Sequence, residues 1–100
     1  MRQNLPTRRE STTFNFEAEG GLRYVASVSR FPDGTLGEIF LNNHKASSAA
    51  DVNACDAAVV CSIALQFGVP SEVIRSAVMR DAKGAARGPL GRALDILAAS

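Results

Sequence analysis

With 100 residues the chain is too short for a cofactor-binding barrel and long enough for one modest core. At 46% hydrophobic residues it is too apolar for a disordered segment. A formal net charge of +1 excludes a global field for nucleic acid or an anionic membrane, although cations gather at the two ends of the chain.

Residues 1–11 carry Pro6, Arg8, Arg9 and small polar residues with no hydrophobic period, which predicts a flexible basic arm ahead of a single domain over residues 12–100. The arm lacks the apolar stretch of a secretory signal, and no run approaches the length of a membrane span, so a cytoplasmic chain with no membrane role is expected. From Thr12 the pattern alternates, with Thr12, Phe14 and Phe16 on one side and Thr13, Asn15 and Glu17 on the other. This predicts a half-buried strand ending at the turn former Gly20-Gly21. Leu22 to Ser29 predicts a second strand of uncertain register. Phe31-Pro32-Asp33-Gly34 is a turn signal, since Pro32 presets φ and Gly34 supplies positive φ. Leu36 to Leu41 predicts a third strand, antiparallel to the second.

Ser48 to Gly68 predicts a helix of about five turns, with Ser47 or Ser48 as N-cap, Asp51 in the first turn and Gly68 at C′. At roughly 100° per residue, Asp51, Ser62 and Gln66 share a narrow stripe with Cys55. Val52, Val59, Val60, Ile63, Leu65 and Phe67 occupy most of the rest, so the helix is expected to need cover on several sides. Pro70-Ser71 starts a second helix with Val73, Ile74, Ala77 and Val78 inward and Arg75 and Arg80 facing solvent. Asp81 to Gly91 reads as a loop, and Leu90, Leu94 and Leu97 as a short C-terminal helix. Strands followed by helices predict an α+β fold: a three-stranded antiparallel sheet, a long buried central helix, an amphipathic helix and a short last one. Phe14, Phe16, Phe31, Phe40 and Phe67 are the expected aromatic core.

Gly37-Glu38-Ile39-Phe40-Leu41, Ala46-Ser47-Ser48-Ala49-Ala50-Asp51, Ala64-Leu65-Gln66-Phe67-Gly68-Val69-Pro70 with Glu72-Val73-Ile74, and Gly88-Pro89-Leu90-Gly91 together resemble the TSCPD domain. That domain occurs in the C-terminal region of vitamin B12-dependent (class II) ribonucleotide reductases and as small free-standing proteins. Leu5 to Ser11 is similar to the segment that precedes it there. The resemblance covers nearly the whole chain and implies an accessory domain, without the large barrel that carries the radical chemistry. The Thr-Ser-Cys-Pro-Asp string is not in this sequence, and no catalytic residue or cofactor carries over.

The residues themselves point the same way. There is no Ser-His-Asp set, no converging carboxylate pair and no phosphate-binding glycine loop, so activity in isolation is not expected. His44 stands alone, which gives no zinc spacing. Cys55 and Cys61 lie roughly 120° apart on the helix and about 9 Å apart along it, too far for a disulfide; Cys55 is the candidate reactive thiol. Two cationic sites can be named. Lys45, with Asn43 and His44, precedes the helix N-terminus, where free amides attract anions. Arg80, Lys83 and Arg87 lie in a glycine-rich segment and, with Arg8 and Arg9, could contact phosphates. The expected function is an interaction module that binds a protein partner or forms a homodimer; the alternative is a weak nucleic-acid or nucleotide binder.

Overall fold

A computed structural model describes residues 1–7 and 9–100. Three strands, β1 (Ser11–Glu17), β2 (Arg23–Arg30) and β3 (Leu36–Asn43), form an antiparallel sheet in the order β1-β2-β3. Three helices follow: α1 (Ala49–Gln66), α2 (Ser71–Ala77) and α3 (Pro89–Ala99). The α+β architecture expected from the segregated pattern is the one observed. The turns form where their residues allow, with Gly20 and Gly21 at φ 82° and 75° between β1 and β2, and Gly34 at 91° between β2 and β3. Pairing places Phe14 opposite Ala26, Phe16 opposite Tyr24, Ala26 opposite Leu41 and Val28 opposite Ile39. These side chains share one face of the sheet. They bury against Ala54, Ala58, Cys61 and Leu65 of α1 and Ala93 and Leu94 of α3.

The position of α1 follows from the edge of that sheet. β3 has no strand on its outer side, so alternate N–H and C=O groups point away from β2 and need partners. The stripe on α1 supplies them. The Asn43 N–H donates to Asp51 Oδ1 at 2.9 Å, and the Cys55 thiol donates to Leu41 O at 3.2 Å. Ser62 Oγ accepts from the Ile39 N–H and donates to Ile39 O, both at 2.9 Å, and Gln66 Nε2 donates to Gly37 O at 3.1 Å. A hydroxyl can do both at once, which makes Ser62 a stand-in for a strand residue. The two backbones match in length: Asp51 to Gln66 rises about 22 Å as helix, and Gly37 to Asn43 about 20 Å as strand. A helix thus closes the edge through side chains alone.

The same geometry turns the large apolar residues outward. Val52, Val59, Val60, Ile63 and Phe67 are exposed, Val60 at 68% and Phe67 at 56%, while Ala54 and Ala58 pack against the sheet. Small residues are needed there because the stripe must come within hydrogen-bond reach of a backbone. The need for cover on several sides, read from the sequence, is left unmet on this face by the domain itself. Part of the expected aromatic core is corrected: Phe16 and Phe31 are buried, but Phe67 lies on the outer face of α1 and Phe40, 53% exposed, on the outer face of the sheet. Tyr24 is buried. At 18 residues and mean hydropathy 1.2, α1 is also long and apolar enough by composition to cross a membrane, contrary to expectation. Its polar stripe is bonded to β3, and a lone span of α1 across lipid would separate the two and leave those groups unpaired.

The caps agree with the sequence. Ser48 Oγ accepts from the Asp51 N–H, and Gly68 takes φ 97° just beyond the last turn. The loop expected from Asp81 ends earlier, at Gly88, since Pro89 opens α3. In the arm, the Gln3 N–H donates to Gln66 O at 2.6 Å. Gly37 permits close contact beneath it, since a Cβ there would stand 2.8 Å from Leu5 Cδ2 and 2.9 Å from Phe31 Cε2.

If the stripe closes the edge, Ser62→Ala strands two buried backbone groups of Ile39 and should cost about 1–3 kcal/mol in urea unfolding. Val60→Ala, at an exposed position, should stay within about 0.5 kcal/mol. Equal losses at the two positions would contradict the assignment.

Candidate functional site

The cations singled out in the sequence do not converge. Arg8 lies outside the described residues. Arg9 forms an ion pair with Glu38, Nη2 to Oε1 at 2.9 Å, at the end of the sheet where Ser11 faces Ser29. Lys45 follows the opposite end of β3, and its side chain is exposed. Arg87 is near that opposite end too, since it pairs with Glu19 at 2.8 Å just beyond β1. A seven-residue strand separates Arg9 from the Arg87 pair by about 20 Å.

Arg80, Lys83 and Arg87 do share one loop, closed by the Arg80–Ala86 bridge and by an Arg87 N–H to Met79 O bond of 3.0 Å. Lys83 is exposed, whereas Arg80 is tied inward. Its Nη1 donates to Asp95 Oδ2 at 2.8 Å and its Nη2 to Asp95 Oδ1 at 2.9 Å, while Arg75 Nε reaches the same carboxylate at 2.7 Å. Arg80 also donates to the carbonyls of Arg75 and Gly84. The expectation that Arg75 and Arg80 face solvent is therefore corrected: both hold α3 to the end of α2. Sequence reasoning missed Asp95 because its partners lie fifteen and twenty residues away on other elements.

At the N-terminus of α1 the Asp51 N–H is capped by Ser48 Oγ, and the backbone before the helix turns its amides to side chains. Asp51 accepts from the Ser47 N–H and the Asn43 N–H, both at 2.9 Å, and Asn43 Oδ1 accepts from the Lys45 N–H. Those backbone bonds hold the Asp51 carboxyl below its ordinary range. An external anion at Lys45 would have to displace this internal one.

Both thiols are held protonated. Burial, then the neighbouring Asp51 carboxylate, raises Cys55, and burial pushes Cys61 up to about 11. Among the described residues no group of three His, Cys, Asp or Glu side chains converges as a metal site.

The feature that remains is the outer face of α1. Val59, Val52, Ile63, Phe67 and Val60 span roughly 100° of its surface, interrupted by Asp56, and all five are exposed. Single surface hydrophobics are ordinary, but a contiguous stripe of large ones marks a contact surface. The signal was present in the sequence: α1 contains no Lys, Arg or Glu, the residues that usually cover a solvent face.

The Asp95 pairings carry a prediction. The two guanidiniums, Arg80 first, hold its carboxyl well below the ordinary range against the opposing effect of burial. A depressed folded-state value means that the stabilisation is complete above the ordinary carboxylate range and is lost as pH falls from about 4. Asp95→Asn should cost about 1 kcal/mol at pH 7 after solvent screening, and the gap between variant and parent should close in unfolding curves below pH 3 or so. A gap independent of pH would assign the cost to packing.

Comparison with known proteins adds a relationship. The chain is 37% identical over 71 residues to the vitamin B12-dependent ribonucleotide reductase of Agrobacterium fabrum, which is 71% of this chain and 6% of that relative. It is 38% identical over 73 residues to the reductase of the same name from Rhodopirellula baltica, 73% of this chain and 7% of the relative. A third, from Streptantibioticus cattleyicolor, is 35% identical over 72 residues, 72% of this chain and 12% of the relative. No family model matches the chain, and no solved structure does. The chain thus spans between 6% and 12% of the length of these curated relatives. It is similar to a short region of vitamin B12-dependent ribonucleotide reductases.

Proposed function

We propose that the chain is an accessory module of the TSCPD type that carries no chemistry alone and docks on a protein partner through the outer face of α1. The observation that carries this reading is the exposed stripe Val52, Val59, Val60, Ile63 and Phe67. Burying such side chains against a partner gains about 1.5–3 kcal/mol for each fully covered one, before the costs of association. The similarity supports the choice of partner. In the relatives the matching region is joined to a body of protein that makes up most of their length. A vitamin B12-dependent reductase is therefore the first partner to try, with a second copy of the chain as the other way of covering the face. A cytoplasmic location fits either partner.

The alternative, a nucleic-acid or nucleotide binder through Arg9, Lys45, Arg80, Lys83 and Arg87, draws less support. Arg9, Arg80 and Arg87 already hold carboxylates, and only Lys45 and Lys83 extend unpaired among these five.

Size exclusion with light scattering, run on the chain alone and mixed with a vitamin B12-dependent reductase at low and high salt, tests the reading. A complex or a dimer that persists in high salt and is lost in Val60→Lys is expected, with the variant still folded because the position is exposed. A lone monomer under every condition would overturn the docking role. Association that collapses with salt and carries nucleic acid would favour the alternative.

A further inference from the structure

Between the N-terminal half of α1, the turn after β1 and the segment leading into α3 lies a groove of about 530 Å³. It is within the size range of small-molecule sites. Ala50, Ala54 and Ala57 form one wall, and Leu22, Pro89 and Leu90 face them. Small side chains on the helix leave the space open, and Gly91 keeps the opposite wall close to the protein, since a Cβ there would stand 2.7 Å from Val78 Cγ2 and 2.8 Å from Ala86 Cβ.

Tyr24 forms part of this lining and is only 3% exposed. Its ring stacks on Phe16, with centroids 5.7 Å apart, which fixes its direction. A buried phenol ordinarily finds a hydrogen-bond partner. No hydrogen bond joins the Tyr24 hydroxyl to any described residue, and no fully enclosed side-chain oxygen or nitrogen lacks a partner. The hydroxyl is therefore not fully enclosed, and Tyr24 lines the groove. The two charged residues of the lining, Arg87 and Glu19, neutralise each other at 2.8 Å. A ligand need bring no charge.

We infer that this groove is a binding site for an uncharged, ring-sized apolar molecule bearing one hydrogen-bonding group, which enters between the alanine wall and Leu90 and meets the Tyr24 hydroxyl. The apolar walls supply affinity and the hydroxyl supplies orientation. Asn53, exposed on α1 at the mouth, offers a second polar contact to a larger relative of such a molecule. The site is separate from the outer face of α1 and stands whether or not that face docks on a partner.

Phenol and toluene are suitable probes, equal in size and different in one hydroxyl. In amide-resolved NMR titrations of the whole chain, phenol should shift Leu22, Ala54, Ala57 and Leu90 saturably at millimolar concentration. Toluene should bind about five-fold more weakly, the worth of one net hydrogen bond. Tyr24→Phe should keep the fold, because the hydroxyl has no partner in the protein, and should abolish the preference for phenol. Ala57→Leu should fill the groove and block both probes. Shifts elsewhere, an absence of saturable shifts, or a phenol preference that survives Tyr24→Phe would overturn the inference.

Discussion

The structure depends on how the free edge of β3 is satisfied. An unpaired edge invites pairing with other chains, and a sheet of three strands has two such edges. On the β3 side the chain uses a helix as the missing neighbour, with Asp51, Cys55, Ser62 and Gln66 reaching the strand's outward backbone groups. Those positions must be polar and short, and the residues beside them must be small. Once they are fixed, the remaining surface of α1 can face only outward. The large aliphatic side chains there are a consequence of the edge closure as much as a feature in their own right.

This explains which parts of the sequence were legible. Strands, turns and helix ends announce themselves through periodicity and local chemistry, so β1 to β3, the Gly34 turn, the Ser48 cap and the Gly68 terminus could all be read. The stripe on α1 could be read as well, but periodicity gives the angle between two faces and not which of them points inward. The usual rule sends apolar residues in, and here a strand edge, which wants hydrogen bonds, occupies the place of an apolar layer. Phe40 and Phe67 were misjudged for the same reason. Arg75 and Arg80 were misread because their partner, Asp95, comes from a helix whose packing no local pattern reveals. At the N-terminus of α1, a sequence suggestive of an anion site proved to contain its own anion in Asp51.

The chemistry that the described side chains display is held within the fold. Its thiols are suppressed by burial, and Arg9, Arg75, Arg80 and Arg87 are occupied in holding elements together. What it offers the outside is an apolar helix face and, on another side, a groove with one uncommitted hydroxyl.

Native-state amide hydrogen exchange compares the two edges of the sheet within one molecule. The Ile39 and Asn43 amides point away from β2 into α1, whereas those of Thr13 and Asn15 point away from β2 with no further strand beyond them among the described residues. The account predicts that Ile39 and Asn43 exchange only through global unfolding, while Thr13 and Asn15 exchange orders of magnitude faster. Equal, rapid exchange at both edges would show that α1 does not close β3, and the orientation of its apolar face would lose its cause.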